Sequence, residues 1–226
     1  MENSNNKGKI IVIEGLDGSG KATQSRLLLE KLSENYKVRT LSFPDYESDG
    51  SALVRMYLGG EFGDDPMCVN PYAAASFYAV DRVASYLKDW KRDYEEGTLF
   101  VLDRYSTSNM IYMTTKLPRD EWERFISWLS QYEYEKLELP RPDGVIYLDM
   151  PPEVSQKLMT GRYSGDESKK DLHEKNIAFL HACRESALFA AENQGWNIIS
   201  CAENSEPRSI EDISADVYEK AKSFLI

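Results

Sequence analysis

Little in this chain supports chemistry based on histidine, on cysteine or on an excess of positive charge. Its two histidines, His173 and His181, show no H-x-x-x-H spacing and no cysteine pattern beside them, which argues against a zinc site. The three cysteines, Cys68, Cys183 and Cys201, stand far apart and form no C-x-x-C, so reduced thiols in a cytosolic protein are expected rather than a disulfide framework. Cations are outnumbered, 27 Lys and Arg against 38 Asp and Glu, and the net charge of -11 repels nucleic acid and anionic membrane. A phosphorylated ligand must therefore be met by locally placed cations. No apolar run approaches the ~18 residues of a membrane span, and the polar start "MENSNNKGK" lacks a signal peptide's apolar core. Internal repeats and low-complexity tracts are also missing. The expectation is a cytoplasmic protein with no nucleic-acid or membrane partner.

What is present is alternation. Apolar, β-branched runs, "KIIVIE", "KVRTLSF", "TLFVLD", "DGVIYLDM" and "WNIISC", read as five strands. Between and after them "ATQSRLLLEKLSEN", the long "NPYAAASFYAVDRVASYLKDWKRDYEE", "RDEWERFISWLSQYEYEKL", "PPEVSQKLMTGR", "KKDLHEKNIAFLHACRESALFAAENQ" and "SIEDISADVYEKAKSFL" read as helices. Such alternation calls for right-handed crossovers and a mainly parallel sheet covered on both faces, with ligands at the carboxyl ends of the strands. "LGGEFGDDP" and "RPDG" punctuate the chain, yet regular elements resume within a few residues, so residues 1–226 are expected to form one α/β domain.

The stretch "IEGLDGSGKATQ" follows an apolar strand and opens an amphipathic helix. That is the setting in which Gly15, Leu16, Asp17, Gly18, Ser19, Gly20 and Lys21 can curl backbone N–H groups around a triphosphate, with Lys21 reaching the terminal phosphates. Lys21 is expected to be solvated before ligand binds. Ala22 occupies the position where the motif asks for a magnesium-holding hydroxyl, and Thr23 supplies one a residue late, turned toward a phosphate oxygen. Magnesium then needs water, phosphate oxygens and a strand-end carboxylate. Asp103, directly after "TLFVL", is the candidate, with Arg104 beside it as a phosphate clamp. The alternative is that Asp103 caps the next helix and pairs with Arg104.

"IEGLDGSGK", "LSFPDY" and "DRYSTSN", in this order, resemble the signatures of the thymidylate kinase family, and the correspondence spans about residues 9 to 220. The resemblance implies a P-loop kinase fold with a five-stranded parallel sheet, ATP as co-substrate, Mg²⁺, dTMP as acceptor and a homodimer. It also implies that Asp17 approaches the sugar 3′-hydroxyl and the transfer site, that Phe43 and Pro44 form the second-strand signature, and that Ser108 and Asn109 lie at the base. Tyr112 would sit near the sugar C2′, where a phenol disfavours ribose. Two departures stand out: Ala22 replaces the family's usual Ser, and Asp45 and Tyr46 occupy the place where many members carry an arginine.

Spacing adds the acceptor pocket. Tyr78 and Arg82 are four residues apart, so on a helix a ring and a guanidinium emerge on one face, able to stack a base and grip a monophosphate or a base oxygen. By resemblance Tyr78 is the ring that stacks on thymine, with Phe77 as the neighbouring possibility. A core aromatic beside a solvated arginine is the alternative. The glycine- and charge-rich segment at about 159–172 suits a lid closing over phosphates, or else a merely solvated loop. In some members of the family that this chain resembles an arginine follows the loop acid; here that position is Gly18, so the transition-state cation is expected from the lid. Arg162 is the first choice and Lys169 and Lys170 are second, while Asp171 and Glu174 match an acid pair that follows the family's lids.

The leading reading is transfer of the γ-phosphate of ATP to dTMP, with Lys21, Arg104, Arg162 and Asp17 as the catalytic set. Two alternatives stay open. One is a kinase for a deoxynucleoside or another deoxynucleotide, for which Glu14 or Asp17 could serve as base. The other is a weakly hydrolysing nucleotide-binding switch, although the N-K-x-D element of GTPases is missing.

Overall fold

The computed structural model describes residues 7–63, 65–162 and 177–225, without the side chains at 66 and 159–162. The lid assignments at Lys169, Lys170, Asp171 and Glu174, and the side chain of Arg162, lie outside the described residues.

Five parallel strands form one sheet in the order β2-β3-β1-β4-β5. They are β1 (Ile10–Gly15), β2 (Val38–Ser42), β3 (Leu99–Asp103), β4 (Gly144–Asp149) and β5 (Asn197–Ser200). Each expected run forms its strand. Because side chains alternate along a strand, β1 feeds two cores at once. Ile10 and Val12 join Phe100, Leu102, Val145 and Tyr147 on one face, and Ile11 and Ile13 join Val101, Ile146 and Leu148 on the other. β1 is buried along its whole length, as expected of a central parallel strand.

The helices divide between those faces. In chain order they are α1 (Lys21–Leu32), α2 (Ala52–Leu58), α3 (Pro71–Ser85), α4 (Lys91–Glu95), α5 (Ser106–Tyr112), α6 (Trp122–Ser130), α7 (Pro152–Arg162), α8 (Ile177–Gln194) and α9 (Ile210–Ser223). Leu28 and Leu32 of α1 pack with Ile213, Val217 and Ala221 of α9 on one face. Residues of α3, α5, α6 and α8 cover the other. None of these helices is long and apolar enough to cross a membrane.

The structure departs from the expected pattern in several places. The long helix of residues 70–96 is interrupted by a π-helical turn, Tyr86–Trp90, which carries Trp90 into the core against Phe100, ring centres 5.2 Å apart. A second π segment, Gln131–Lys136, extends α6. The short helices α2 and α5 are additions that the sequence pattern did not announce. The seven residues of α5, three of them Ser or Thr, have weak intrinsic helix preference, so tertiary contacts hold this helix. At its start the buried Glu14 carboxylate of β1 accepts from Tyr105 N–H at 3.3 Å, Thr107 Oγ1 at 2.6 Å and Ser108 Oγ at 2.9 Å. At its end Ser186 Oγ donates to Ile111 O at 2.8 Å. A small antiparallel hairpin, β6 (Ala202–Glu203) with β7 (Glu206–Pro207), lies beyond β5.

Register aligns the site. Ile13 pairs with Asp103, Ser42 with Asp103 and Gly15 with Leu148. The carboxyl ends of β1, β2, β3 and β4 therefore reach one edge, where β1 stands between the two halves of the sheet.

Candidate active site

The loop from β1 to α1 can curl because of its glycines. Gly20, the residue before α1, has φ +91°, a left-handed conformation that side-chain-bearing residues rarely adopt. A Cβ on Gly15 would come within 2.4 Å of Ser19 Oγ and 3.0 Å of the Leu148 carbonyl, so only glycine lets the loop close on β4. Inside this loop Ser19 Oγ is buried without a hydrogen-bond partner. Leu16 is buried, Gly18 is half-buried, Ala22 is exposed at the helix start and Thr23 is half-buried.

Lys21 differs from the expectation that it is solvated. It is buried, its Nζ donates to Leu16 O at 2.9 Å, and it lies 3.9 Å from Asp17 Oδ1. Burial, followed by the nearby positive charge of Arg104, pushes its ammonium down to about 8, although Asp17, Asp103 and Glu14 pull the other way. The loop folds over its own lysine.

Arg104 leaves β3 with φ +68°, an uncommon conformation for a non-glycine residue that costs on the order of 1–3 kcal/mol. The return is its position. Its Nη2 donates to Asp17 Oδ1 at 2.5 Å, its Nη1 donates to the Tyr112 hydroxyl at 3.1 Å, and the guanidinium lies 5.2 Å from the Tyr112 ring centre. Burial disfavours its charge, but Tyr112, Asp17 and Glu14 together outweigh burial and raise its pKa well above the usual arginine value. Arg104 therefore pairs with Asp17, across the sheet edge, and not with Asp103. Asp103 does not cap α5 either, because no side chain caps that helix from its preceding residue and Asp103 Oδ1 is buried with no hydrogen-bond partner.

That orphaned carboxylate oxygen fits a hard divalent cation. Among the described residues no group of three or more His, Cys, Asp or Glu could hold a metal unaided.

Beside the loop opens a cavity of about 460 Å³. Asp17, Phe43, Pro44, Tyr78, Arg82, Arg104, Ser108, Asn109 and Tyr112 all line it. Phe77 does not, and packs instead against Phe62 and Tyr57, ring centres 5.5 and 6.3 Å apart. Tyr78 presents itself to the cavity, edge-on to Tyr57. Arg82 is not a solvated arginine beside a core ring. It is buried and forms a bidentate pair with Glu133, Nε to Oε2 at 2.7 Å and Nη2 to Oε1 at 2.6 Å. Ser108 lines the cavity but spends its hydroxyl on Glu14.

The sequence reading missed Glu133, Tyr57 and Lys116. Lys116 Nζ donates to the Tyr57 hydroxyl at 2.6 Å, and both residues line the cavity. Glu133 did leave a signal. Trp122, Phe125, Ile126 and Leu129 form the buried stripe of α6, and Glu133, four residues after Leu129, continues it with a carboxylate. Lys116 and Tyr57 left none, because only the fold brings the turn after α5 against α2.

Two anion-seeking places, the loop around Lys21 and the cavity beside it, thus share the Asp17–Arg104 pair between them. A site for one nucleotide's phosphates opening onto a site for a second ligand defines the class, an ATP-dependent nucleoside monophosphate kinase with a P-loop. A model of the thymidylate kinase family matches residues 13–213, and the chain belongs to that family. A thymidylate kinase of Mycobacterium tuberculosis is 32% identical over 197 residues, covering 83% of this chain and 87% of the relative. A probable thymidylate kinase of Thermococcus onnurineus is 32% identical over 213 residues, covering 92% and 94%. The solved structure of a Candida albicans thymidylate kinase superposes with a TM-score of 0.69 over 97% of this chain and 93% of that one, and at 21% identity it supports the fold alone.

Proposed function

We propose that this chain transfers the γ-phosphate of ATP to dTMP, giving dTDP and ADP. The observation that carries this reading is the sharing of Asp17 and Arg104 between the phosphate loop and an aromatic-lined cavity of nucleotide size. Loop N–H groups from Gly15 to Lys21, with Thr23, hold the triphosphate, and Lys21 exchanges its bond to Leu16 O for phosphate oxygens. Arg104 clamps the acceptor phosphate, and Asp17, bonded to Arg104, stands at the same place beside the sugar. Tyr78 supplies a flat face for the base, while Arg82 and Asn109 supply polar groups at its edge. Tyr112, whose hydroxyl accepts from Arg104, both orients that guanidinium and narrows the cavity.

An acceptor phosphate oxygen is already a nucleophile at neutral pH, so positioning and charge neutralisation carry the catalysis and no general base is required. Magnesium, held by Asp103 together with phosphate oxygens and water, would neutralise charge on the transferred group. Arg162, the last residue of α7, is assigned the transition-state contact.

A kinase for a neutral hydroxyl would need a base, and neither earlier candidate suits. Glu14 is fully buried and engaged at the start of α5, and Asp17 is held by Arg104. The homodimer and the cytoplasmic location belong to this proposal as well. A linked-enzyme assay of ADP release with a panel of nucleosides and monophosphates tests the reading. Turnover dependent on dTMP is expected, and tight ATP binding without any acceptor-dependent turnover would favour the nucleotide switch.

A further inference from the structure

Lys116 has no part in the scheme above, yet it lines the acceptor cavity from the turn after α5. Its Nζ donates to the Tyr57 hydroxyl at 2.6 Å and to the Val69 carbonyl at 3.1 Å, and stands 4.9 Å from the Tyr57 ring centre. Tyr57 lies in the last turn of α2 and Val69 just before α3, so one ammonium draws together both ends of the loop between those helices. Burial keeps this ammonium below the usual lysine range, although Cys68 and Asp65 of the same loop pull the other way. The loop folds back on itself. Gly63 has φ +129°, and a Cβ there would come within 2.8 Å of Cys68 Sγ, which donates to Phe62 O at 3.0 Å. Phe62 in turn packs on Phe77 of α3, ring centres 5.5 Å apart. Leu58, Asp65 and Met67 thereby line the cavity. Leu58 and Met67 do so as apolar side chains that are 45% and 58% exposed, so a ligand in the cavity gains by covering them. Tyr57 also meets Tyr78 edge-on, ring centres 6.5 Å apart.

We infer that Lys116 is a positioning residue that latches the loop between α2 and α3 against the acceptor cavity, acting through the Tyr57 hydroxyl and the Val69 carbonyl, and so sets how long the monophosphate is retained. Two contacts to one charged donor hold the loop's ends, and the wall they hold carries the exposed apolar side chains that the acceptor would cover. The donor side is outside this latch, because none of its residues belongs to the phosphate loop or to α1. The inference rests on the proposed function, since it takes the cavity to be the monophosphate acceptor site.

A buttress that serves the fold alone is the competing account. Removing it would lower Tm and the fraction of active protein but leave the molecules that remain folded with native affinities. Lys116→Met keeps most of the side chain's length and deletes its donors. Calorimetry and a stopped-flow chase should show Kd for dTMP raised at least about tenfold, the scale of bonds to a charged group, chiefly through faster dissociation. KM for ATP should stay within about twofold of native. Amide exchange over residues 57–69 should quicken in this variant, and dTMP should slow it in the native protein. Tyr57→Phe removes one acceptor of the latch and keeps the ring, so it should raise Kd for dTMP by about threefold or more. Added to Lys116→Met it should change Kd by less than about twofold, because both substitutions break the same contact. A near-native Kd for dTMP in folded Lys116→Met, an equal loss toward dTMP and ATP, or effects that multiply in full would each overturn the inference. Should Lys116→Met not fold, Tyr57→Phe decides alone: weaker dTMP binding with faster exchange over 57–69 supports the latch, and a native Kd refutes it. Failure of the native protein to turn over dTMP would sink the functional proposal itself, whereas dTMP turnover with native affinity in the variants would sink this inference alone.

Discussion

ATP capture should be lost at mildly alkaline pH, because Lys21 is buried in the loop that must meet the phosphates. Its ammonium is pushed down to about 8, chiefly by burial and then by Arg104. ATP phosphates favour the charged form, so above pH 8 binding must take up a proton. The fraction of free enzyme with a protonated Lys21 falls to about one-tenth at pH 9 and about one-hundredth at pH 10, and kcat/KM for ATP should fall in the same proportion. In the ATP complex the lysine's pKa is raised again, so kcat should stay level to higher pH. The sign for stability is opposite. With the folded pKa below the unfolded value, the unfolded chain holds more protons between pH 8 and about 10.5. This group alone therefore makes the ligand-free fold firmer as pH rises through that window, by at most about 3 kcal/mol. Initial rates at limiting ATP from pH 7 to 10, with calorimetric ATP titrations in buffers of different ionisation enthalpy, read both the alkaline limb and the proton uptake. The phosphomonoester groups titrate near pH 6 and do not contribute to the alkaline side. Lys21→Arg, always charged, should remove the limb while retaining some turnover, and Lys21→Met should remove turnover. A kcat/KM profile that stays flat to pH 9.5, or that breaks near 10.4 as for an exposed lysine, would refute the reasoning.

Tyr112→Phe keeps the ring and deletes the hydroxyl that accepts from Arg104; it should lower kcat/KM for dTMP by about tenfold, the scale of one bond to a charged group. Tyr112→Ala should narrow the gap between dTMP and its ribo counterpart while also slowing dTMP, and an unchanged ratio in a folded variant would remove the residue from the sugar. Asp103→Asn should raise the Mg²⁺ concentration for half-maximal rate by about tenfold or more with KM for dTMP unchanged; the same Mg²⁺ dependence as the native protein would dismiss Asp103 as the ligand. Arg162→Ala should lower kcat by at least about a hundredfold with a smaller effect on KM for ATP, and a near-native kcat would move the transition-state contact elsewhere.

Local pattern was enough to determine the architecture and the phosphate site, because both depend on order along the chain. Continuous apolar runs alternating with helical periods specify a parallel sheet, since each strand must bury two faces and each crossover needs a helix. The loop from Gly15 to Lys21 is a local structure whose glycines and helix start are adjacent in sequence. The acceptor cavity is different, because it joins residues from the loops after β1, β2 and β3, from α2, α3 and α5 and from the turn after α5, with Arg82 held in turn by Glu133 of the π segment beyond α6. Lys21 illustrates the limit within the loop itself: its position was legible, but its burial depends on Leu16 O folding over it. Arg82 illustrates it across the chain, since Glu133 is 51 residues away in sequence and the bidentate bond between them exists only once α3 and α6 pack on one face of the sheet. Charges on a single helix can be placed on a stripe from sequence. Which opposite charge they meet, and so whether they are solvated or held against a ligand, was decided by the tertiary fold, because desolvation and pairing are properties of the surroundings.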